Sequence, residues 1–155
     1  MKLYLVQHGE ACSKQEDPER PLTETGKSDA NRLAVFLRQA NVKVEHVVHS
    51  GKLRAQQTAE RLVNAIAPGK KIEVHDAINP NDNPVTFAVR LKELPGDSLI
   101  VGHLPFLPSL ISHLVVGNKN SLIVDYTPGT VACLEFTPET NNWSLNWMIR
   151  PELFS

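Results

Sequence analysis

Four apolar residues, Leu3, Tyr4, Leu5 and Val6, run straight into Gln7, His8, Gly9 and Glu10, and the same shape returns where Leu99, Ile100 and Val101 meet Gly102 and His103. Short apolar runs stopped by turn residues predict strands covered on both faces. In open α/β sheets the ligand crevice lies off the carboxyl ends of such strands, so the pattern delivers two histidines to candidate site positions. A third apolar run, over residues 44–49, ends at Ser50 and Gly51. Elsewhere the spacing is helical. Ala30, Leu33, Ala34 and Leu37 recur behind Thr23, a fitting N-cap, and predict a helix to about residue 40 in which Gly26 weakens only the first turn. Ala55, Ala59, Leu62, Val63 and Ile66 mark a second helix over about 52–66, stopped by Pro68 and Gly69. Residues 71–75 alternate enough for a strand. Asn83 as N-cap and Pro84 at the first helical position open a short helix to about 94, and 105–116 reads as a helix whose first turn tolerates Pro108. Residues 130–136 and 143–149 flank a turn-rich linker and predict an antiparallel hairpin with Trp143 and Trp147 on one face. Strands that alternate with helices early and pair late give an α/β fold class, a mixed sheet covered by helices.

Composition narrows the function classes. The 155 residues suffice for one domain, 1–155, with a substantial core and little room for an accessory lid. A net charge of −1, from interspersed acidic and basic residues, argues against nucleic acid or an anionic membrane as partner. Phosphate affinity would have to come from a few local cations. The apolar runs fall short of a membrane span and His8 comes too early for a signal-peptide core, which predicts a cytoplasmic chain. Cys12 and Cys133 lack any CxxC or metal-type spacing and are expected as free thiols. His46, His49, His75 and His113 have no i, i+4 partner and read as structural or exposed, so no metal site is expected.

Four segments, VQHGEA, RPLTETG, SGKLRAQQT and VGHLPFL, occur in an order and at a spacing that resembles the histidine phosphatase superfamily, and more narrowly its small phosphohistidine phosphatase branch, the SixA-like proteins. The resemblance spans residues 1 to about 149 and implies a three-layer α/β/α fold around a mixed, mostly parallel sheet, without a large cap insertion. It implies His8 as nucleophile, Arg20 and Arg54 as phosphate-pocket arginines and His103 as the second histidine, with no cofactor. The chemistry suits these residue types. A neutral imidazole can attack phosphorus and hold the phosphoryl group covalently, while fixed cations stabilise the charge on its equatorial oxygens. The implied partner is a phosphohistidine-bearing signalling or phosphotransfer protein.

Two departures from the pattern matter. Family members usually carry arginine immediately before the nucleophile, and here that residue is Gln7. Glutamine can donate to phosphate but brings no charge and no fork of donors. Gly51 also replaces a common proline, which mainly affects loop stiffness. The leaving-group proton has three candidate sources, Glu10, Asp76 and Asp82, with no motif to choose among them. Fewer than fifty residues separate Arg54 from His103, implying an open pocket suited to a phosphohistidine displayed on a folded protein. Two other readings stay open: a general phosphomonoesterase, and a weakly active or inactive phospho-ligand-binding pseudoenzyme that owes its state to Gln7.

Overall fold

The computed structural model describes residues 1–154. Its strands are β1 (Lys2–Gln7), β2 (His46–His49), β3 (Ile72–Val74), β4 (Ser98–Gly102), β5 (Val131–Thr137) and β6 (Asn142–Ile149). They form one sheet in the order β3-β2-β4-β1-β5-β6. The strands β1 to β4 run parallel to their neighbours among them, β5 is antiparallel to β1, and β6 to β5. The fold is therefore α/β with a mixed, mostly parallel sheet. Its helices are α1 (Glu24–Gln39), α2 (Leu53–Ile66), α3 (Pro84–Arg90) and α4 (Phe106–Val116). Among the described residues no helix is long and apolar enough to cross a membrane.

Period-2 alternation sends the strand side chains to two cores. Tyr4, Val6, Val47, Leu99 and Val101 pack with Leu33 and Leu37 of α1 and Ala55, Leu62 and Ile66 of α2. Leu3, Leu5, Val48 and Ile100 face Phe87 of α3 and Phe106, Leu107, Leu110 and Ile111 of α4. With both faces covered, β1 and β4 read as unbroken apolar runs, Leu3 to Val6 and Leu99 to Val101. The helix starts follow the expected capping: the Thr23 hydroxyl accepts from Gly26 N, and the Asn83 side chain accepts from Val85 N with Pro84 next to it. The third helix is shorter than expected, giving way to a 3-10 turn at Leu91–Glu93.

Two expectations are corrected. Trp143 and Trp147 lie on opposite faces, because Cys133 pairs with Trp147 while Leu134 pairs with Leu145, leaving Asn146 as an extra residue in β6. Such a bulge reverses the alternation beyond it. Trp147 meets Tyr4 and Phe36 on the α1 side, and Trp143 meets Phe136 on the α4 side. Gly26 also does more than weaken a helix turn. A Cβ there would run into the backbone of Glu10, and a Cβ on Gly9 would lie 2.9 Å from the Gly26 carbonyl oxygen. The paired glycines let the first turn of α1 press against the segment that carries His8.

Candidate active site

β1 and β4 are neighbours in register, Gln7 opposite Gly102, so the residues that follow them leave the sheet side by side. The His8 and His103 rings lie 5.0 Å apart, centroid to centroid. His8 is pinned at three points: its N–H donates to the Gly102 carbonyl at 3.1 Å, its carbonyl accepts from Gly129 N at 3.3 Å, and Nδ1 lies 2.7 Å from the Gly9 carbonyl oxygen. A carbonyl only accepts, so Nδ1 carries the proton and Nε2 presents a lone pair. His103 Nε2 is 2.6 Å from the Ser50 hydroxyl, and its buried Nδ1 has no partner among the described residues.

Two arginines reach the same place from different elements. Arg54 is the second residue of α2, so its guanidinium adds to the positive end of the helix dipole. Its Nε is buried without a hydrogen-bond partner among the described residues. Arg20 comes from the loop over residues 10–21, which is closed by a bridge between Ala11 and Leu22 and tied to α2 by Leu22 N donating to Gln57. Arg20 has a left-handed φ of 50° and its Nε donates to the Cys12 carbonyl at 2.9 Å. A non-glycine residue in that region carries strain of order 1 kcal/mol, which the bonded loop imposes. Neither guanidinium has a carboxylate partner among the described residues.

Gln7, His8, Glu10, Arg20, Arg54 and His103 all line one cleft of about 310 Å³, framed by Pro80, Leu104 and Pro128. The other candidate acids stand apart. Asp82 lines an adjoining cleft, where its carboxylate accepts from Asn79 N, and Asp76 is an exposed partner of Arg90. Among the described residues no group of three or more His, Cys, Asp or Glu is placed to hold a metal ion. The remaining four histidines lie elsewhere: His46 bonds Glu73, His49 accepts from Gly51 N, His75 packs edge-on against Phe87, and His113 is in the last turn of α4.

Three contributors escape the sequence reading. Ser50 orients His103; Thr58 accepts from Gly9 N at 3.0 Å and donates to the Arg54 carbonyl at 2.8 Å; Lys52 adds positive charge near His103. Thr58 carried a usable signal, since it lies one helical turn beyond Arg54 on the same face.

The cleft holds both histidines neutral. Burial, offset in part by the Gly9 carbonyl and reinforced by Arg54 and Arg20, lowers the His8 pKa to about 4. Burial first, then His8, Arg54, Lys52 and Arg20, lower that of His103 to about 3. The unfolded chain binds these protons near pH 6.5 and the folded chain resists them. Stability from this source is thus complete above about 6.5 and is lost as pH falls through the folded values. Denaturant unfolding at pH 7 and pH 5 is expected to show the lower midpoint at pH 5, and equal midpoints in a His8→Asn, His103→Asn double variant would assign the loss to these two rings.

A family model, Histidine phosphatase superfamily (branch 1), matches residues 3–80. The chain belongs to this superfamily. It is 26% identical over 156 residues to phosphohistidine phosphatase SixA of Escherichia coli (strain K12), covering 97% of this chain and 94% of that one. The structure of the protein histidine phosphatase SixA complexed with tungstate matches at a TM-score of 0.86 and 25% identity, with 99% of both chains covered. The α-ribazole phosphatase of Shigella flexneri shares the fold at a TM-score of 0.81 and 18% identity, with 97% of both chains covered. Within the superfamily, the chain is SixA-like.

Proposed function

We propose that this protein is a phosphohistidine phosphatase that works through a phosphoryl group carried on His8. The observation that carries the reading is the pair of unneutralised guanidiniums, Arg20 and Arg54, facing a histidine whose Nδ1–H is tied to a carbonyl and whose Nε2 is free. A cleft in which neither guanidinium is paired with a carboxylate among the described residues, Glu10 of its own lining included, suits an oxyanion. The SixA structure complexed with tungstate supports this, tungstate being a tetrahedral oxyanion like phosphate.

His8 Nε2 attacks phosphorus as the bond to the substrate imidazole breaks. That imidazole leaves neutral if its ring is protonated beforehand, and water then displaces the phosphoryl group from His8. Arg20, Arg54 and the Gln7 amide hold the equatorial oxygens, and His103 would add one more donor by turning Nε2–H from Ser50 to an oxygen. Of the three candidate acids, Glu10 lines the cleft and is the one assigned to proton transfer. A phosphoramidate asks less of that acid than an ester does. Between α2 and β4 the chain holds only β3, α3 and a 3-10 turn, which leaves the mouth accessible to a macromolecular substrate. The test compares turnover of a phosphohistidine-bearing protein with that of an aryl phosphate: the phosphoramidate is expected to be faster in kcat/KM, and faster ester turnover would favour a general phosphomonoesterase.

Gln7 is the observation that favours a second reading, a phospho-ligand-binding protein with little turnover. Its side chain lines the cleft but supplies no charge, and its buried Oε1 has no partner among the described residues. A missing charged transition-state donor costs about 3 kcal/mol, on the order of a hundredfold in rate, which slows an enzyme without stopping it. Gln7→Arg is accordingly expected to raise kcat by roughly a hundredfold. An unchanged or lower kcat in single-turnover measurements would show that residue 7 does not limit the reaction.

A further inference from the structure

The histidine cleft continues into a second one of about 630 Å³, twice its size, and the two share Arg20, Arg54 and Pro80. The larger cleft is lined further by Lys14, Lys52, Glu19, Asp82 and the turn over residues 79–82. Its charges are not balanced as they are over the rest of the chain. Four cations, Lys14, Arg20, Lys52 and Arg54, face two carboxylates, and the Asp82 carboxylate is already used by Asn79 N.

The acidic residues beside Lys14 are likewise turned to their own loop. Glu16 accepts from Ser13 N at 3.1 Å while Ser13 accepts from Glu16 N at 3.2 Å, and Asp17 accepts from Glu19 N at 2.9 Å. Those bonds stiffen the segment that presents Lys14 and hold the Glu16 and Asp17 carboxylates on their own loop, where neither forms an ion pair with it. Among the described residues neither Lys14 nor Lys52 makes a salt bridge. A cleft of this size beside an oxyanion pocket holds chain rather than phosphate, and its excess positive charge selects for acidic chain.

We propose that the second cleft receives an acidic segment flanking the phosphohistidine on the partner protein, which it draws in while the phosphoryl group enters the histidine cleft. This rests on the phosphatase reading above and adds the charge of the substrate to it.

Two synthetic phosphohistidine peptides, alike except that four glutamates flank the phosphohistidine in one and four glutamines in the other, separate the two claims. The acidic peptide is expected to have a roughly tenfold higher kcat/KM at low ionic strength, carried by KM, with the ratio falling toward one as salt is raised. Lys14→Glu is expected to bring the ratio to one or below without added salt. Equal turnover of the two peptides by the wild type, or the same preference in Lys14→Glu, would overturn the docking proposal and leave the phosphatase reading standing. If neither peptide is hydrolysed the phosphatase reading fails. Docking is then decided by affinity of both peptides for the His8→Ala protein, and equal affinities would overturn it.

Discussion

Replacing His8 with alanine is expected to remove any acid-labile phosphoryl adduct and to cut kcat by at least about four orders of magnitude, the loss typical of a deleted nucleophile. The expectation follows from the proton arrangement. The Gly9 carbonyl holds the proton on Nδ1, burial keeps the ring neutral far below pH 7, and the remaining nitrogen opens on the cleft with Arg20 and Arg54. No other imidazole in the cleft is set up this way. His103 has its Nε2 engaged by Ser50 and its Nδ1 enclosed without a partner among the described residues, so neither nitrogen is free to attack. The measurement is label transfer from a phosphoryl donor, followed by an alkaline denaturing quench, counting of the protein-bound label, and its release by mild acid. An adduct that persists in His8→Ala would move the nucleophile elsewhere. Loss of the adduct in His103→Ala with His8 intact would mean that the second ring is needed for formation and not only for hydrolysis.

The parts of this site legible in the sequence are those that depend on local pattern. An apolar run that stops at Gly9 or Gly102 identifies a covered strand and its last residue, and parallel strands in register then bring His8 and His103 together without further information. Arg54 could be placed because the helical period of α2 starts just before it. What was illegible depends on contacts between distant segments. Nothing near Ser50 in the chain signals that its hydroxyl meets His103, and the reason for Gly26 is the backbone of Glu10 passing over it. The choice among Glu10, Asp76 and Asp82 could not be made from type or spacing, since all three sit in turn-rich loops whose course is set by long-range bonds. The opposite facing of Trp143 and Trp147 is hidden for a related reason: a single bulged residue in β6 changes every face beyond it, and Asn146 carries no turn signal that would announce one.

Arg54→Ala is expected to lower kcat by about a hundredfold to a thousandfold, the usual cost of a lost donor to a developing oxyanion, while leaving the protein without ligand as stable as the wild type or slightly more so. The two halves have one cause. Among the described residues Arg54 is a partly buried cation with no carboxylate partner and no hydrogen bond at Nε, and burial and Arg20 both press against its charge. Such a group costs stability until an anion arrives. The start of α2 does not need the guanidinium, because Thr58 bonds the backbone carbonyl of residue 54 and would continue to do so in alanine. Thermal unfolding with and without tungstate tests this: the anion should raise the midpoint of the wild type and much less that of Arg54→Ala, so that the order of stabilities reverses on adding ligand. Arg54→Lys should fall between them in rate, keeping the charge and losing the two-pronged donor. Arg54→Ala should also let both histidines protonate more readily, since the Arg54 charge depresses each of them, though burial as the larger cause keeps them below 6.5. A marked loss of stability in ligand-free Arg54→Ala would show instead that the arginine is part of the scaffold, and the account of an anion site built from uncompensated charge would have to be given up.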